Sequence, residues 1–300
     1  MNDRKKDRSA QLILLLTKNL AKLPFKWGVR IGSIIGVLLH FFAAQRRKVT
    51  QVNIGLCFPE LSAREQSALV KKVFIANGIG LVETAWAHHA KRDMFDSRIE
   101  IRNQHFLDEA LEQGRGVVLL GAHFSTLDLG GLLFSYTNAP LNTLYRRHNS
   151  PVLDAAITKG RAKYGQPIER KNMRKVISSL KDNQCIWFAP DQDLKAKGCV
   201  FASFFNHTAS TVTATSSFVR FNQSPLLMLA HYRKPDNSGY ILEFSQVDSS
   251  NSDDKLAFAQ VVNDAIERAV RKHPEQYMWM HKRFKTQPDG RHKLYRRDKP

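Results

Sequence analysis

The sequence predicts an α/β fold with a mixed, largely parallel central sheet flanked by helices and preceded by an N-terminal amphipathic helix. From residue 117 onward, short apolar runs typical of buried strands alternate with segments that have helical periodicity. Strands that alternate with helices form mainly parallel sheets, because each helix crosses back over the sheet. The 300 residues, 43% of them hydrophobic, are enough to bury a sizeable core.

The amino-terminal segment has the pattern of a basic amphipathic helix. Cations recur every four residues at Lys18, Lys22, Lys26 and Arg30, and large apolar residues fill much of the rest. Such a helix lies in a membrane interface, with its cations near anionic head groups. The uncharged apolar run that follows is shorter than the roughly 20 residues that cross a bilayer. We therefore expect residues 1–44 to be a membrane-anchoring helical segment that lies in the interface, with a true span or a core helix as the alternatives.

Further helix and strand signals follow in order along the chain. Ser62 and Glu65 have the spacing of a capping box, which starts a long helix that reaches His89. A short helix over 103–113 is stopped by Gly114. Strand-like and helix-like segments then alternate, followed by two strands and a final helix. These predicted elements are 117–120, 127–135, 141–145, 152–164, 173–180, 185–188 and 211–221, the strands 225–232 and 240–244, and the helix 253–272.

His123 and Asp128, which follow the apolar run 117–120, are the most informative pair of residues. A residue after the carboxyl end of a strand lies where open α/β sheets bind ligands. Neutral imidazole can take a proton from an alcohol, and a carboxylate on its other nitrogen orients the ring and stabilises its cation. We predict that His123 is a general base oriented by Asp128. Ser125 and Asp128 also fit a helix capping box, which is the purely structural alternative.

Four further blocks accompany the His123 segment over roughly residues 50 to 290. They are 53–60 (NIGLCFPE), 145–151 (YRRHNSP), 187–193 (WFAPDQD) and 274–286 (PEQYMWMHKRFKT). In this order, the five blocks resemble the late lipid A acyltransferases, the lauroyl/myristoyl transferases of the lysophospholipid acyltransferase superfamily. One position departs from the family pattern. The lipid A enzymes often carry glutamate where this chain has Asp128, and aspartate is commoner among glycerolipid acyltransferases.

The resemblance implies an acyltransferase catalytic domain over 45–300 on the cytoplasmic face of a bacterial inner membrane. It implies transfer of a fatty acyl chain from acyl carrier protein to a hydroxyl of a lipid A precursor, with His123 as the base. It also implies that Arg161, Arg170 and Asp191 line the substrate-binding site, where the two arginines could bind acceptor phosphates. A related acyltransferase that acts on a glycerolipid or an aminolipid is the first alternative.

The charge of the chain narrows the class of partner. A formal charge of +19 and a pI near 10.0 favour an anionic partner, such as an acidic lipid surface, an acidic protein or nucleic acid. A non-enzymatic basic protein that binds membrane or nucleic acid is therefore the second alternative. It leaves the His123 segment unexplained, so we expect an anionic membrane surface and no nucleic acid.

The sequence indicates no cofactor and no metal. Cys57, Cys185 and Cys199 are an odd number without close pairing, which fits neither a zinc site nor a disulfide framework. Neither a phosphate-binding Walker loop nor a dinucleotide fingerprint is present.

Overall fold

The computed structural model describes residues 2–194, 198–291 and 293–295. Its strands are β1 (Ile99–Arg102), β2 (Val117–Leu120), β3 (Leu141–Tyr145), β4 (Gln166–Glu169), β5 (Cys185–Phe188), β6 (Cys199–Phe204), β7 (His207–Val212), β8 (Leu226–Arg233), β9 (Tyr240–Gln246), β10 (Thr286–Gln287) and β11 (Gly290–Arg291). Seven of these strands form one sheet in the order β1-β9-β8-β2-β5-β3-β4. Within this sheet β8 and β9 are antiparallel and the other neighbours are parallel. The predicted mixed, largely parallel sheet is confirmed.

Helices cover both faces of the sheet. In the described part of the chain they are α1 (Asn2–Leu20), α2 (Phe25–Phe42), α3 (Ala44–Cys57), α4 (Ala63–His89), α5 (His105–Glu112), α6 (Leu127–Phe134), α7 (Pro151–Arg161), α8 (Met173–Lys181), α9 (Ala214–Asn222) and α10 (Lys255–Lys272). Short 3₁₀ helices lie at Arg92–Phe95, Ser135–Thr137, Pro274–Gln276 and Lys293–Tyr295. The predicted capping box of α4 is confirmed, because Ser62 and Glu65 each accept a hydrogen bond from the other's backbone N–H.

The basic amphipathic segment is not one continuous helix. Pro24 separates α1 from α2, since proline lacks an N–H donor and disfavours helical backbone in the residue before it. The four-residue cation pattern that predicted one helix therefore extends across this break, with Lys18 on α1 and Lys26 on α2.

The predicted helix over 211–221 begins later than expected. Residues up to Val212 belong to β7, which pairs with β6 in a hairpin, and the helix starts at Ala214. Phe205 and Asn206 form the tight turn of this hairpin with φ values of 50° and 60°. Both residues adopt left-handed backbone, which a two-residue hairpin turn requires. The sequence analysis missed the hairpin because this turn lacks the glycine that usually marks one.

α2 packs along α4 through Gly28, Gly32 and Gly36, which are four residues apart. A Cβ on Gly32 would lie 2.6 Å from the Ile79 Cα, and one on Gly36 would lie 2.5 Å from the Ile75 Cα. Any side chain at these positions would force the two helices apart. α2 also shares a hydrophobic core cluster with α4 and the sheet. It is thus packed into the domain along one face.

Candidate active site

His123 and Asp191 face each other across two parallel strands. Leu120 at the end of β2 pairs with Phe188 at the end of β5. His123 and Asp191 each lie three residues after this pair, so the two polar residues are next to each other. The imidazole Nδ1 lies 2.6 Å from Asp191 Oδ1, and the His123 backbone N–H donates to Asp191 Oδ2 at 3.0 Å. The His123 side chain is 21% exposed and that of Asp191 is 1% exposed. The imidazole is therefore partly accessible, while its carboxylate is enclosed.

The two side chains stabilise each other's charged form. Burial by itself lowers the pKa of His123, but the charge and hydrogen bond of Asp191 outweigh it, and the pKa lies above its ordinary value. Burial by itself raises the pKa of Asp191, but the charge and hydrogen bonds of His123 bring it down to about 2. At neutral pH Asp191 is thus an ionised acceptor that strengthens the imidazole as a base.

Asp128 belongs to a second polar cluster, with residues of α4 and of the segment around the end of α7. Its Oδ1 accepts hydrogen bonds from Arg161 Nε at 2.8 Å and from the Tyr164 hydroxyl at 3.2 Å. The Nε2 of His88 lies 3.6 Å from the same oxygen. Burial raises the pKa of Asp128, but the nearby His88 imidazole and the charge of Arg161 bring it well below its usual range. Arg161 also acts on the neighbouring pair, because its charge lowers the pKa of His123.

The contact predicted between His123 and Asp128 is replaced by the contact between His123 and Asp191. Asp128 lies in the first turn of α6, and from there its carboxylate reaches Arg161, whereas β5 brings Asp191 directly alongside β2. The capping alternative also differs from the structure. Thr126 is the N-cap of α6 and makes no capping hydrogen bond. The Asp128 side chain is therefore engaged in the site rather than in the helix end.

A strap formed by residues 274–279 crosses the loop that carries His123. The Ser125 N–H donates to the Gln276 carbonyl at 2.7 Å, and the Met278 N–H donates to the His123 carbonyl at 2.9 Å. These two bonds pair the strap with the loop as in a short antiparallel ladder. The backbone on both sides of the imidazole is thereby fixed by a segment far away in the sequence.

The strap also reaches the carboxylate of the pair. Tyr277 lies close enough to Asp191 to contribute to lowering the pKa of that carboxylate. On the other side, Asn53 on α3 donates through its Nδ2 to the carbonyls of Trp279 at 2.7 Å and His281 at 2.8 Å. Two blocks that the sequence analysis singled out, 53–60 and 274–286, therefore meet behind the His123 pair.

A narrow cavity of about 20 Å³ lies beside Asp128, between α6 and the sheet. Leu127, Leu141, Trp187 and Leu229 form most of its apolar wall. An apolar lining of this kind favours hydrocarbon over water. The site therefore combines a polar entrance with an apolar interior.

Arg170 stands apart from the two clusters. It follows β4, and the sheet order places β5 and β3 between β4 and β2. Its backbone N–H donates to the Tyr145 carbonyl at 2.9 Å, and the residue is exposed. Of the five site residues expected from the sequence, the structure brings His123, Asp128, Arg161 and Asp191 near one another and leaves Arg170 on the rim of the same sheet edge.

Sequence reasoning missed Tyr164 and the pairing of Asp191 with His123. A signal for the pairing existed, because both residues stand three positions after a short apolar strand. If two parallel strands are neighbours in register, residues that follow their ends at the same distance lie close together. The sequence does not state which strands are neighbours, so its local pattern favours the carboxylate that is nearer in the chain.

A larger groove lies elsewhere in the described part of the chain. It is lined by the start of β8 and includes the ion pair of Arg220 with Asp253, whose Nε and Oδ1 are 2.8 Å apart. His123 follows the end of β2, which is parallel to β8, so the groove lies toward the opposite end of the strands. Convergent chemistry, not size, identifies the site around His123.

Comparison with known proteins gives one consistent result. The family model for bacterial lipid A biosynthesis acyltransferases matches residues 7–286. The chain is 34% identical over 280 residues to the lipid A biosynthesis palmitoleoyltransferase of Escherichia coli (strain K12), covering 91% of this chain and 90% of the relative. It is 33% identical over 274 residues to the lipid A biosynthesis lauroyltransferase of the same organism, covering 90% and 89%. A lipid A biosynthesis acyltransferase of Haemophilus influenzae is 31% identical over 279 residues, covering 91% and 88%.

Proposed function

From the premise that the chain belongs to the bacterial lipid A biosynthesis acyltransferase family, we propose that it transfers a fatty acyl chain from acyl carrier protein to a hydroxyl of a lipid A precursor. The observation that carries the proposal is the bond between His123 and the enclosed Asp191 carboxylate at the carboxyl edge of the sheet. Open α/β sheets bind their substrates at this edge. A partly accessible imidazole with an ionised partner is suited to take a proton from an alcohol.

In the proposed reaction His123 is the general base. Its Nε2 takes the proton of the acceptor hydroxyl while the hydroxyl oxygen attacks the carbonyl carbon of the acyl thioester. Collapse of the tetrahedral intermediate breaks the carbon–sulfur bond, and the departing thiolate takes the proton from the imidazolium. Asp191 holds the ring with its proton on Nδ1 and stabilises the imidazolium that forms between the two steps.

Asp128 and Arg161 act as a unit in this proposal. Asp128 accepts from the Nε of Arg161, which leaves the terminal nitrogens of the guanidinium for other acceptors. A cation near His123 can stabilise the negative charge that builds on the thioester oxygen, or it can bind an acceptor phosphate. Arg170 on the rim would contact acceptor phosphates farther from the reacting atoms. In this arrangement Asp128 serves the reaction through Arg161.

The apolar wall of the small cavity beside Asp128 is the proposed contact surface for the acyl chain near its thioester. The cavity begins at the polar cluster and lies between α6 and the sheet, and at about 20 Å³ it must widen to shield an extended hydrocarbon from water. A chain that lies there would present its thioester carbonyl near Arg161 and His123.

The experiment that tests the function compares purified variants with matched donors and acceptors. We expect His123→Ala to lower transfer from acyl carrier protein to the lipid A precursor about 10²–10⁴-fold, the usual contribution of a general base. The control is His89→Ala, which removes a histidine at the end of α4. Lysophosphatidic acid as acceptor and acyl coenzyme A as donor complete the set. Full activity of His123→Ala would overturn the mechanism, and preference for lysophosphatidic acid or for the coenzyme A donor would overturn the substrate assignment.

We also propose that the enzyme is held at the cytoplasmic face of the inner membrane by α2 lying in the membrane plane. α2 is long and apolar enough to cross a membrane. However, its glycines bind it closely to α4, and a Cβ on Gly80 of α4 would lie 2.5 Å from the Ser125 carbonyl oxygen. If α2 crossed the bilayer with this packing intact, the loop that carries His123 would enter the hydrocarbon. An orientation in the membrane plane avoids this cost.

The outer face of α2 suits such an orientation. Trp27, Ile34 and Phe41 are 57%, 60% and 63% exposed, although they are large and apolar. Lys26 and Arg30 lie on the same helix and can meet anionic head groups. A contiguous exposed apolar surface flanked by cations is typical of a membrane-binding face.

A further inference from the structure

We propose that Gln276 is a positioning residue for the reaction, because it ties the strap, and with it the His123 loop, to the end of β8. The inference rests on the proposed role of His123 as the base. It assigns to Gln276 no contact with substrate. Its contribution is to hold the imidazole where the proton transfer takes place.

Gln276 makes three hydrogen bonds that link distant parts of the chain. Its side-chain Oε1 accepts from the Arg233 backbone N–H at 2.8 Å, and its Nε2 donates to the Arg233 carbonyl at 2.8 Å. Its own carbonyl accepts from the Ser125 N–H at 2.7 Å. The residue is 3% exposed. The amide therefore clasps the backbone of β8 while the main chain holds the loop two residues after His123.

The anchor that Gln276 clasps is itself rigid. The Nε and Nη2 of Arg233 donate to the two carboxylate oxygens of Glu83 at 2.7 and 2.8 Å. The Tyr240 hydroxyl donates to Glu83 Oε1 at 2.8 Å. Glu83 and Arg233 are 0% and 4% exposed. A doubly hydrogen-bonded ion pair in the interior keeps one geometry. Through Gln276 and Arg233, the strap is therefore held at a fixed position relative to α4.

Only a side chain with both a donor and an acceptor can make this clasp. A methionine has nearly the same length as glutamine but can form neither bond, and a glutamate can accept but not donate. Without the clasp, the backbone N–H and carbonyl of Arg233 lose their partners and the strap is free to shift. Because misplacement of a catalytic group by about 1 Å can cost roughly 10²-fold in rate, a small shift of the His123 loop would be visible in catalysis.

The chain offers a matched control for this idea. Gln260 on α10 clasps Ser203 on β6 in the same manner, with Oε1 accepting from the Ser203 N–H at 2.8 Å and Nε2 donating to its carbonyl at 3.3 Å. This second clasp holds the β6–β7 hairpin. Its two hydrogen bonds do not involve the strap, although the Phe204 and Phe205 rings of the hairpin pack on Tyr277 and Trp279. Gln260→Met therefore removes a glutamine clasp of the same type from another strand, while the Ser203 carbonyl keeps its hydrogen bond from Asn263 Nδ2 at 2.8 Å.

The experiment compares the full-length enzyme with Gln276→Met and Gln260→Met. Thermal unfolding, kcat and KM are measured for each protein, and the His123 imidazole is titrated by NMR in protein with ¹⁵N-labelled histidine. We expect both variants to lose stability and to keep KM close to that of the wild type. We expect kcat to fall about 10- to 100-fold in Gln276→Met alone. The pKa of His123 should fall toward its ordinary value in that variant, because its contact with Asp191 loosens.

Several results would overturn the proposal. An unchanged kcat in Gln276→Met, an equal loss in Gln260→Met, or an unchanged His123 titration would each show that Gln276 has a merely structural role. If Gln276→Met does not fold, Gln276→Glu serves instead, since it keeps the acceptor for the Arg233 N–H. In Gln276→Glu, kcat and the pKa of His123 must then both fall, as expected for Gln276→Met. Unchanged values would refute the proposal. The titration needs no turnover, so it tests the positioning of His123 even if His123→Ala proves active.

Discussion

Asp191 stands level with His123 although the two residues are 68 positions apart, because β2 and β5 are parallel neighbours in register. The pairing makes the imidazole depend on a carboxylate from a different strand. It also frees Asp128 to hold Arg161. The two carboxylates of the site thus have separate partners, and substitutions should separate their effects.

We expect Asp191→Asn to lower kcat by about 10²-fold or more, because the amide keeps the size of the side chain but cannot stabilise the imidazolium. Asp128→Asn should act differently, with a rise in KM and a smaller loss of kcat, since it releases Arg161. Steady-state kinetics of both variants provide the measurement. Asp154→Asn, which alters an ion pair with the exposed Arg147, is the control and should leave both constants unchanged. A larger loss of kcat in Asp128→Asn than in Asp191→Asn would contradict the assignment of Asp191 as the partner of His123.

The pH dependence of kcat/KM should report the His123 pKa. A base must be neutral, so activity is lost as pH falls through that pKa, and Asp191 places the midpoint above the ordinary value of 6.5. In Asp191→Asn the midpoint should move to lower pH, because the raising influence is gone. The buried His231 has a pKa lowered to about 4, chiefly by desolvation, so it should not contribute to this limb. A wild-type midpoint below 6.5 would argue against the pairing.

The donor prediction can be tested through salt. The chain carries a net charge of +19, and an acidic carrier protein should be steered toward it at low ionic strength. We expect kcat/KM for acyl carrier protein, measured below saturation, to fall steeply between low and physiological salt. An uncharged short thioester serves as the control donor and should show little change. Equal salt dependence for both donors would remove the electrostatic argument for a protein donor.

The contact between α2 and α4 should be sensitive to a single methyl group. Gly32→Ala should destabilise the fold by about 1–3 kcal/mol, because the added Cβ meets backbone of α4. Gly55→Ala in α3 is the control, since its Cβ would lie 3.7 Å from the nearest atom, Gln66 Oε1. That substitution should be neutral or stabilise by about 0.4–1 kcal/mol. Thermal or denaturant unfolding of the two variants decides the matter.

The membrane assignment predicts that Phe41→Glu weakens binding to vesicles of anionic lipid while the protein stays folded. Leu256→Glu is the matched control, because Leu256 is 52% exposed but lies at the start of α10. Quenching of Trp27 fluorescence by lipids brominated at several depths gives the orientation. We expect Trp27 and a tryptophan placed at Phe41 to be quenched at the same shallow depth. Labelling of the two ends of α2 from opposite sides of the membrane would show a span instead.

The sequence by itself determined the class of fold and the bounds of several central strands, and it singled out His123 as the candidate base. The predicted strands at 117–120, 141–145 and 185–188 are β2, β3 and β5 with the same bounds. Periodicity and turn residues act over a few neighbours in the chain, so they can be read directly from the order of residues. The resemblance over five blocks also led to the correct family.

Only the tertiary structure decided which carboxylate reaches His123, which glutamine holds its loop and which face of α2 is left exposed. Asp191 and Gln276 lie far from His123 in the sequence, and they meet it through strand register and backbone hydrogen bonds. The amphipathic pattern before Pro24 continued across a break that a proline imposes. Contacts of this kind depend on which strands and helices become neighbours, and that choice is made by burial of the whole core, not by any local pattern.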